Sequence, residues 1–290
     1  MTDANPSIGP PSRLLLALEG RAIGELATTW AAMPLLVKGP LGDGHPVLVL
    51  PGFLATDIST RPLRSFLERI RYSTHPWRQG RNFGPIGDLE DRLAERLDTL
   101  HRRYRKKVSL IGWSLGGVYA RLLAHRRPQA VRSVITLGSP FNHPRANHAW
   151  WLFEWFSDTP IDGIEPEKLE LVRRPPPVPS TAVYSRSDGV TAWQSCVDRI
   201  EGGRRTENIE VPGSHCGLGC NPLVLHAIAD RLAQPEDRWR PFERTGIRRL
   251  LYPEPRTSGP RQAGPPGRGR PRLAESRTSV GFDHEATLRP

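Results

Sequence analysis

Cysteine is scarce in this chain: only Cys196, Cys216 and Cys220 occur among 290 residues. So small and odd a number excludes a disulfide framework and points to a reduced compartment. Cys196 and Cys216 are expected near the same pair of loops, which leaves one bridge between them as a hypothesis. There is no H-E-x-x-H and no C-x-x-C, and His143 and His148 lie five apart, so no metal site is expected. Long apolar runs are lacking too. The N-terminal stretch has only LLLAL, between Arg13 and Glu19, too short for a signal-peptide core or a membrane span, so a cytoplasmic protein is expected. Internal repeats are also missing.

What is abundant is positive charge, a formal +11, although residues 241–290 hold ten arginines against five acids and so contribute +5 of it. The charge therefore describes the C-terminal end as much as the rest, and makes anionic partners a question about that end. The hydrophobic content of 37% allows one substantial core. The expected organisation is a flexible N-terminus over 1–11, one domain over 12–255 with an insertion at about 141–178, and a basic, disordered tail over 256–290. The run SGPRQAGPPGRGRPR, without apolar periodicity, marks that tail.

Within the domain, Leu15, Leu18, Ala22, Leu26 and Trp30 recur at helical spacing and predict an amphipathic helix packed on the core through that face and limited by Pro34. HPVLVLPG reads as a strand buried on both faces. Helices follow near Arg61–Ile70 and along Ile86, Leu89, Leu93, Leu97, Leu100 and Tyr104. VSLIG, VRSVITLG, TAVYS and ENIEV read as further strands, and Asn221-Pro222 caps a last helix that ends before Pro235. Strands alternating with helices predict a mostly parallel α/β sheet of about six strands with helices on both faces.

Gly112-Trp113-Ser114-Leu115-Gly116 matches G-x-S-x-G between a predicted strand and a predicted helix, where a sharp turn exposes the serine at the sheet edge. Read alone, the motif also fits an ordinary strand-to-helix turn. A serine hydroxyl needs a histidine to take its proton and a carboxylate to orient that histidine. Asp188 follows TAVYS and His215 follows ENIEV, each just beyond a strand's C-terminal end, where catalytic groups of open α/β sheets gather. Separately, Asp188-Gly189 is a common turn and His215 a common loop residue. Two oxyanion donors are needed as well, and the backbone N–H groups of Leu115 and Phe53, or less favourably Leu54, are the candidates.

These pieces, together with PVLVLPGF, SRSDGVTAW and GSHCGLGCNP, resemble the α/β-hydrolase superfamily, in its bacterial lipase and esterase-like branch, across about residues 12–255. The resemblance implies acyl hydrolysis by Ser114, His215 and Asp188 without a cofactor, in a compact core that lacks the first two strands of the full fold. Esters are the expected substrates. Thioesters, amides and acyl transfer to another acceptor use the same triad and stay open. The segment FNHPRANHAWWLFEWFSDTP between the third and fourth predicted strands is rich in aromatic rings, which could form an apolar lid over the site or simply cover the sheet. The expected substrate-binding residues are Trp113, Leu54, Trp150, Trp151 and Trp155, for a substrate with a hydrophobic acyl or alkyl group.

Two readings of another class attach to the tail. Arg268-Gly269-Arg270-Pro271-Arg272 is similar to the core of an A·T-rich minor-groove binder, and its charge also suits an anionic membrane surface. Chance composition explains so short a motif equally simply. A non-catalytic binding protein built on a hydrolase-like scaffold is the remaining alternative.

Overall fold

Apolar β-branched runs form strands where both faces are covered, and four of these runs sit side by side in the computed structural model, which describes residues 8–85, 87–150, 153–154, 163–199 and 205–255. The strands are β1 Pro46–Leu50, β2 Ser73–Pro76, β3 Val108–Trp113, β4 Val131–Leu137, β5 Ser180–Tyr184 and β6 Thr206–Glu210. They pair in the order β2-β1-β3-β4-β5-β6, all parallel. β2, with the sequence STHP, is the strand that periodicity misses. It is short, polar and ends in Pro76, a composition that suits a sheet edge.

The helices are α1 Arg13–Ala17, α2 Ala22–Leu36, α3 Arg61–Arg69, α4 Leu89–Tyr104, α5 Leu115–Arg126, α6 Pro166–Arg173, α7 Pro222–Leu232 and α8 Arg248–Leu251. β1 shows why they occupy both faces. Val47 and Val49 pack with Leu63, Phe66 and Ile228 of α3 and α7, whereas Leu48 and Leu50 pack with Leu93, Leu97 and Leu123 of α4 and α5. β6 is polar yet buried, and its carboxylates have partners there. Glu207 accepts from Thr181 Oγ1 at 2.9 Å and Arg231 Nη1 at 2.9 Å, and Glu210 accepts from Tyr184 Oη at 3.0 Å.

The N-terminal helix departs from expectation. A 3-10 turn, Leu18–Arg21, splits it into α1 and α2, and Pro34 lies inside α2 rather than ending it. Its packing face is only partly the expected one. Leu15, Ala22 and Leu26 are half-buried, and Met33, Leu36 and Val37 pack against the core, but Leu18 is 45% and Trp30 65% exposed, while Glu19 and Thr29 are buried. These two polar residues turn inward because they meet backbone groups of two loops beyond β5 and β6.

α5 is anchored through Arg121, which is wholly buried. It donates two hydrogen bonds to Asp198 at 2.9 and 2.8 Å and three to the carbonyls of Val172, Arg173 and Arg174 at the end of α6. The helix that begins at Ser114 is thereby tied to the segment that overlies it. Among the described residues no helix is long and apolar enough to cross a membrane.

Candidate active site

Ser114 stands between β3 and α5 with φ 53° and ψ −123°, a conformation that costs a non-glycine residue on the order of 1–3 kcal/mol. Its neighbours make the turn possible. A Cβ on Gly112 would collide with the backbone of Gly116 and Gly117, and one on Gly116 with the Leu50 and Pro51 carbonyls. The Ser114 N–H donates to Leu137 O at 2.8 Å, which fixes the turn to β4.

Asp188 and His215 meet between the loops that follow β5 and β6. Asp188 is buried after β5, and its Oδ1 accepts from the N–H groups of Val190 at 2.8 Å and Thr191 at 2.7 Å. That pins the carboxylate so that Oδ2 lies 2.7 Å from His215 Nδ1. With Nδ1 donating, the imidazole presents Nε2 as an acceptor. Burial opposes protonation of His215, but the charge and hydrogen bond of Asp188, with Glu19 adding to them, raise its pKa above the ordinary value.

The sheet edge joins the parts. Trp113 Nε1 donates to the His215 carbonyl at 3.1 Å, and a Cβ on Gly138, after β4, would lie 3.1 Å from both Asp188 Oδ2 and His215 Nδ1. Ser114 Oγ makes no hydrogen bond to His215 among the described residues. Such contacts are commonly long without substrate.

Ser114 opens on a cavity of about 340 Å³, lined by Phe53, Leu115, Leu122, Phe141, Trp150 and Phe153 among others. Trp150 and Phe153 of the insertion therefore face the serine, and the Phe153 ring lies 5.8 Å from that of Phe53. Trp151 and Trp155 lie outside the described residues, as do Arg268, Arg270 and Arg272 of the tail. Two expected contacts need correction. Trp113 is turned to the histidine loop, where its indole is spent on the His215 carbonyl, and does not line the cavity. Leu54, at φ 59°, does not line it either, and its N–H donates to Asn82 O at 2.7 Å, which removes it as an oxyanion donor. Phe53 and Leu115 both border the cavity beside Ser114, and Leu115 N–H opens α5, where no carbonyl of the helix can reach it.

Sequence reasoning missed the bracing groups. Asn82 is wholly buried, takes the Leu54 N–H on its carbonyl and donates from Nδ2 to Pro51 O at 2.9 Å, so it shapes the turn that carries Phe53. Nothing in the run RNFG marks it. Glu19, Arg21 and Glu25 carry no sequence signal, because hydrophobic periodicity places charged residues of a helix outward. The cysteines are corrected as well: all three are free thiols, so Cys196 and Cys216 form no bridge. Loss of surrounding water and the Glu19 charge push the Cys216 thiol up to about 12.

Comparison with known proteins follows the same outline. A family profile described as the alpha/beta hydrolase fold matches residues 46–175, the part that contains the Ser114 turn. Over these residues the chain has the α/β-hydrolase fold. It is similar to a pimeloyl-[acyl-carrier protein] methyl ester esterase of Shewanella woodyi, 28% identical over 113 residues, 38% of this chain and 42% of that protein. It is also similar to mouse serine hydrolase BPHL, 31% identical over 112 residues, 34% of this chain and 38% of that protein. The matches thus span about two-fifths of each relative's length. Among solved structures, an alpha/beta superfamily hydrolase of Oenococcus oeni aligns with a TM-score of 0.50 at 14% identity, covering 67% of this chain and 95% of that one.

Proposed function

We propose that this α/β-hydrolase is a serine esterase acting on carboxylic esters with an apolar acyl or alkyl group. The observation that carries the reading is the buried Asp188–His215 pair, 2.7 Å across, beside a strained serine turn that opens on an aromatic-lined cavity. In this reading Ser114 Oγ attacks the carbonyl carbon as His215 Nε2 takes its proton, and Asp188 holds the imidazolium. The backbone N–H groups of Phe53 and Leu115 bind the oxyanion. His215 returns the proton to the leaving alcohol, and water activated by the same histidine frees the acyl group and restores Ser114.

We assign the insertion at about residues 141–178 as a cap in which the described rings of Trp150 and Phe153 exclude water from the acyl-enzyme. The names of the relatives, a methyl ester esterase and a serine hydrolase, support the reaction class. A panel of matched esters, thioesters and amides with graded acyl chains tests the assignment. The expected result is hydrolysis of esters foremost, rising from acetyl to longer chains and lost in Ser114→Ala. A preference for thioesters or amides would redirect the assignment, and activity retained by Ser114→Ala would end it.

A further inference from the structure

Glu19 is buried in the 3-10 turn between α1 and α2, far from the sheet in sequence, yet every hydrogen bond its carboxylate accepts comes from the catalytic loops. Oε1 accepts from the N–H groups of Gly189 at 2.7 Å and His215 at 3.0 Å, and Oε2 from that of Cys216 at 2.8 Å. Gly189 follows the candidate acid, and His215 is the candidate base. One carboxylate thus holds His215 through its own N–H and Asp188 through that of its neighbour Gly189.

The surrounding groups act in the same direction. Arg21 donates to Gly213 O at 3.0 Å and to Ser187 Oγ at 3.1 Å. Glu25 accepts from the Ser214 N–H at 2.7 Å and from Asn221 Nδ2 at 3.2 Å. Gly189 cannot be replaced without conflict, since a Cβ there would run into the Leu15 backbone. Among the described residues no lysine or arginine pairs with Glu19, so the cation nearest in function to its charge is a protonated His215.

We propose that Glu19 is a positioning residue of the proposed esterase site: it locks the acid and histidine loops to each other and sets a second negative charge behind the imidazole. The inference rests on the reading of Ser114, His215 and Asp188 given above. The electrostatics agree. Burial alone would raise the Glu19 pKa, but the three N–H donors and the His215 charge bring it below the ordinary value, and Glu19 in turn favours the imidazolium. That charged imidazole is the form His215 passes through at each acyl-transfer step, so the N-terminal segment contributes to catalysis without touching substrate.

The test is the titration of the His215 ring, followed by NMR on the full chain and assigned by loss of its signal in His215→Gln. Glu19→Gln keeps the size and removes the charge. The expected outcome is a His215 pKa lower by about half to one unit, with the acid limb of ester hydrolysis moving down with it. Glu25→Gln, which loosens Ser214 instead, is expected to leave the titration in place, a distinction that general loosening of the segment would not produce. A His215 titration unmoved in a folded Glu19→Gln protein would overturn the inference. Should that variant not fold, Glu19→Asp decides: it keeps the charge but not the reach, and is expected to titrate like the wild type while losing about tenfold in rate. Wild-type rate in Glu19→Asp would count against the inference. A shifted titration in a protein that hydrolyses nothing would sink the esterase reading and leave the Glu19–His215 coupling standing.

Discussion

Asp188 spends one oxygen on two backbone N–H groups and the other on His215. Asp188→Asn would keep the shape but lose the charge and the tautomer it enforces, and the turnover of an activated ester should fall about 10³–10⁴-fold. The pH dependence follows from the raised pKa of His215. The base must be neutral to accept the Ser114 proton, so kcat/KM should climb with pH along a limb centred above 6.5, the ordinary histidine value. A limb at or below that value would mean that Asp188 and Glu19 do not act on the ring as described. At this scale the three candidate groups were legible in the sequence, because each follows a predicted strand, and the structure brings Asp188 and His215 together. Their supports were not. Glu19 and Asn82 act through backbone contacts made across the fold, and such contacts leave no local pattern.

Elements carry the next set of constraints. The turn at Ser114 depends on close approach of β1 and α5, so Gly116→Ala would press on the Leu50 carbonyl and should destabilise the fold by about 2–4 kcal/mol, read as a lower urea midpoint. Arg121 and Asp198 form a fully buried pair, and removing one partner leaves the other charge without compensation. Arg121→Met should therefore cost about 3–5 kcal/mol in the same assay, whereas loss of an exposed pair such as Arg174–Glu170 should cost under about 1 kcal/mol. α4 was readable from its period and α7 from its cap, and helices were expected at α3 and α5 as well. β2 was not, since an edge strand needs neither apolar alternation nor length. The N-terminal helix was readable as a helix but only in part in its orientation, because hydrophobic periodicity assumes that apolar residues face inward, and here Glu19, with backbone donors, turns inward while Leu18 and Trp30 are exposed.

Stability of the whole molecule should depend on acid. Burial, with the charge of Arg132, lowers the His45 pKa to about 4, and burial with the charges of Arg96, Arg103 and Arg78 does the same to His75. Both groups bind protons more readily unfolded than folded, so the stability they contribute is full above about 6.5 and is lost as pH falls toward 4. His215 runs the other way, since its raised pKa contributes below 6.5 and fades as pH rises. His143 and His226 are lowered by burial too, and the Glu19 and Asp43 carboxyls are held below their ordinary value, so His215 is outweighed and a lower urea midpoint is predicted at pH 4.5 than at pH 7, and an unchanged midpoint would contradict that balance. The sheet, the cavity and the catalytic edge meet in one claim, that Ser114 is an activated nucleophile. Fluorophosphonate labelling of the wild type, Ser114→Ala and His215→Ala, with mass mapping of the adduct, tests it most directly. A single adduct on Ser114 that both substitutions abolish is the predicted result, and a folded wild type that stays unlabelled, or labels elsewhere, would contradict it.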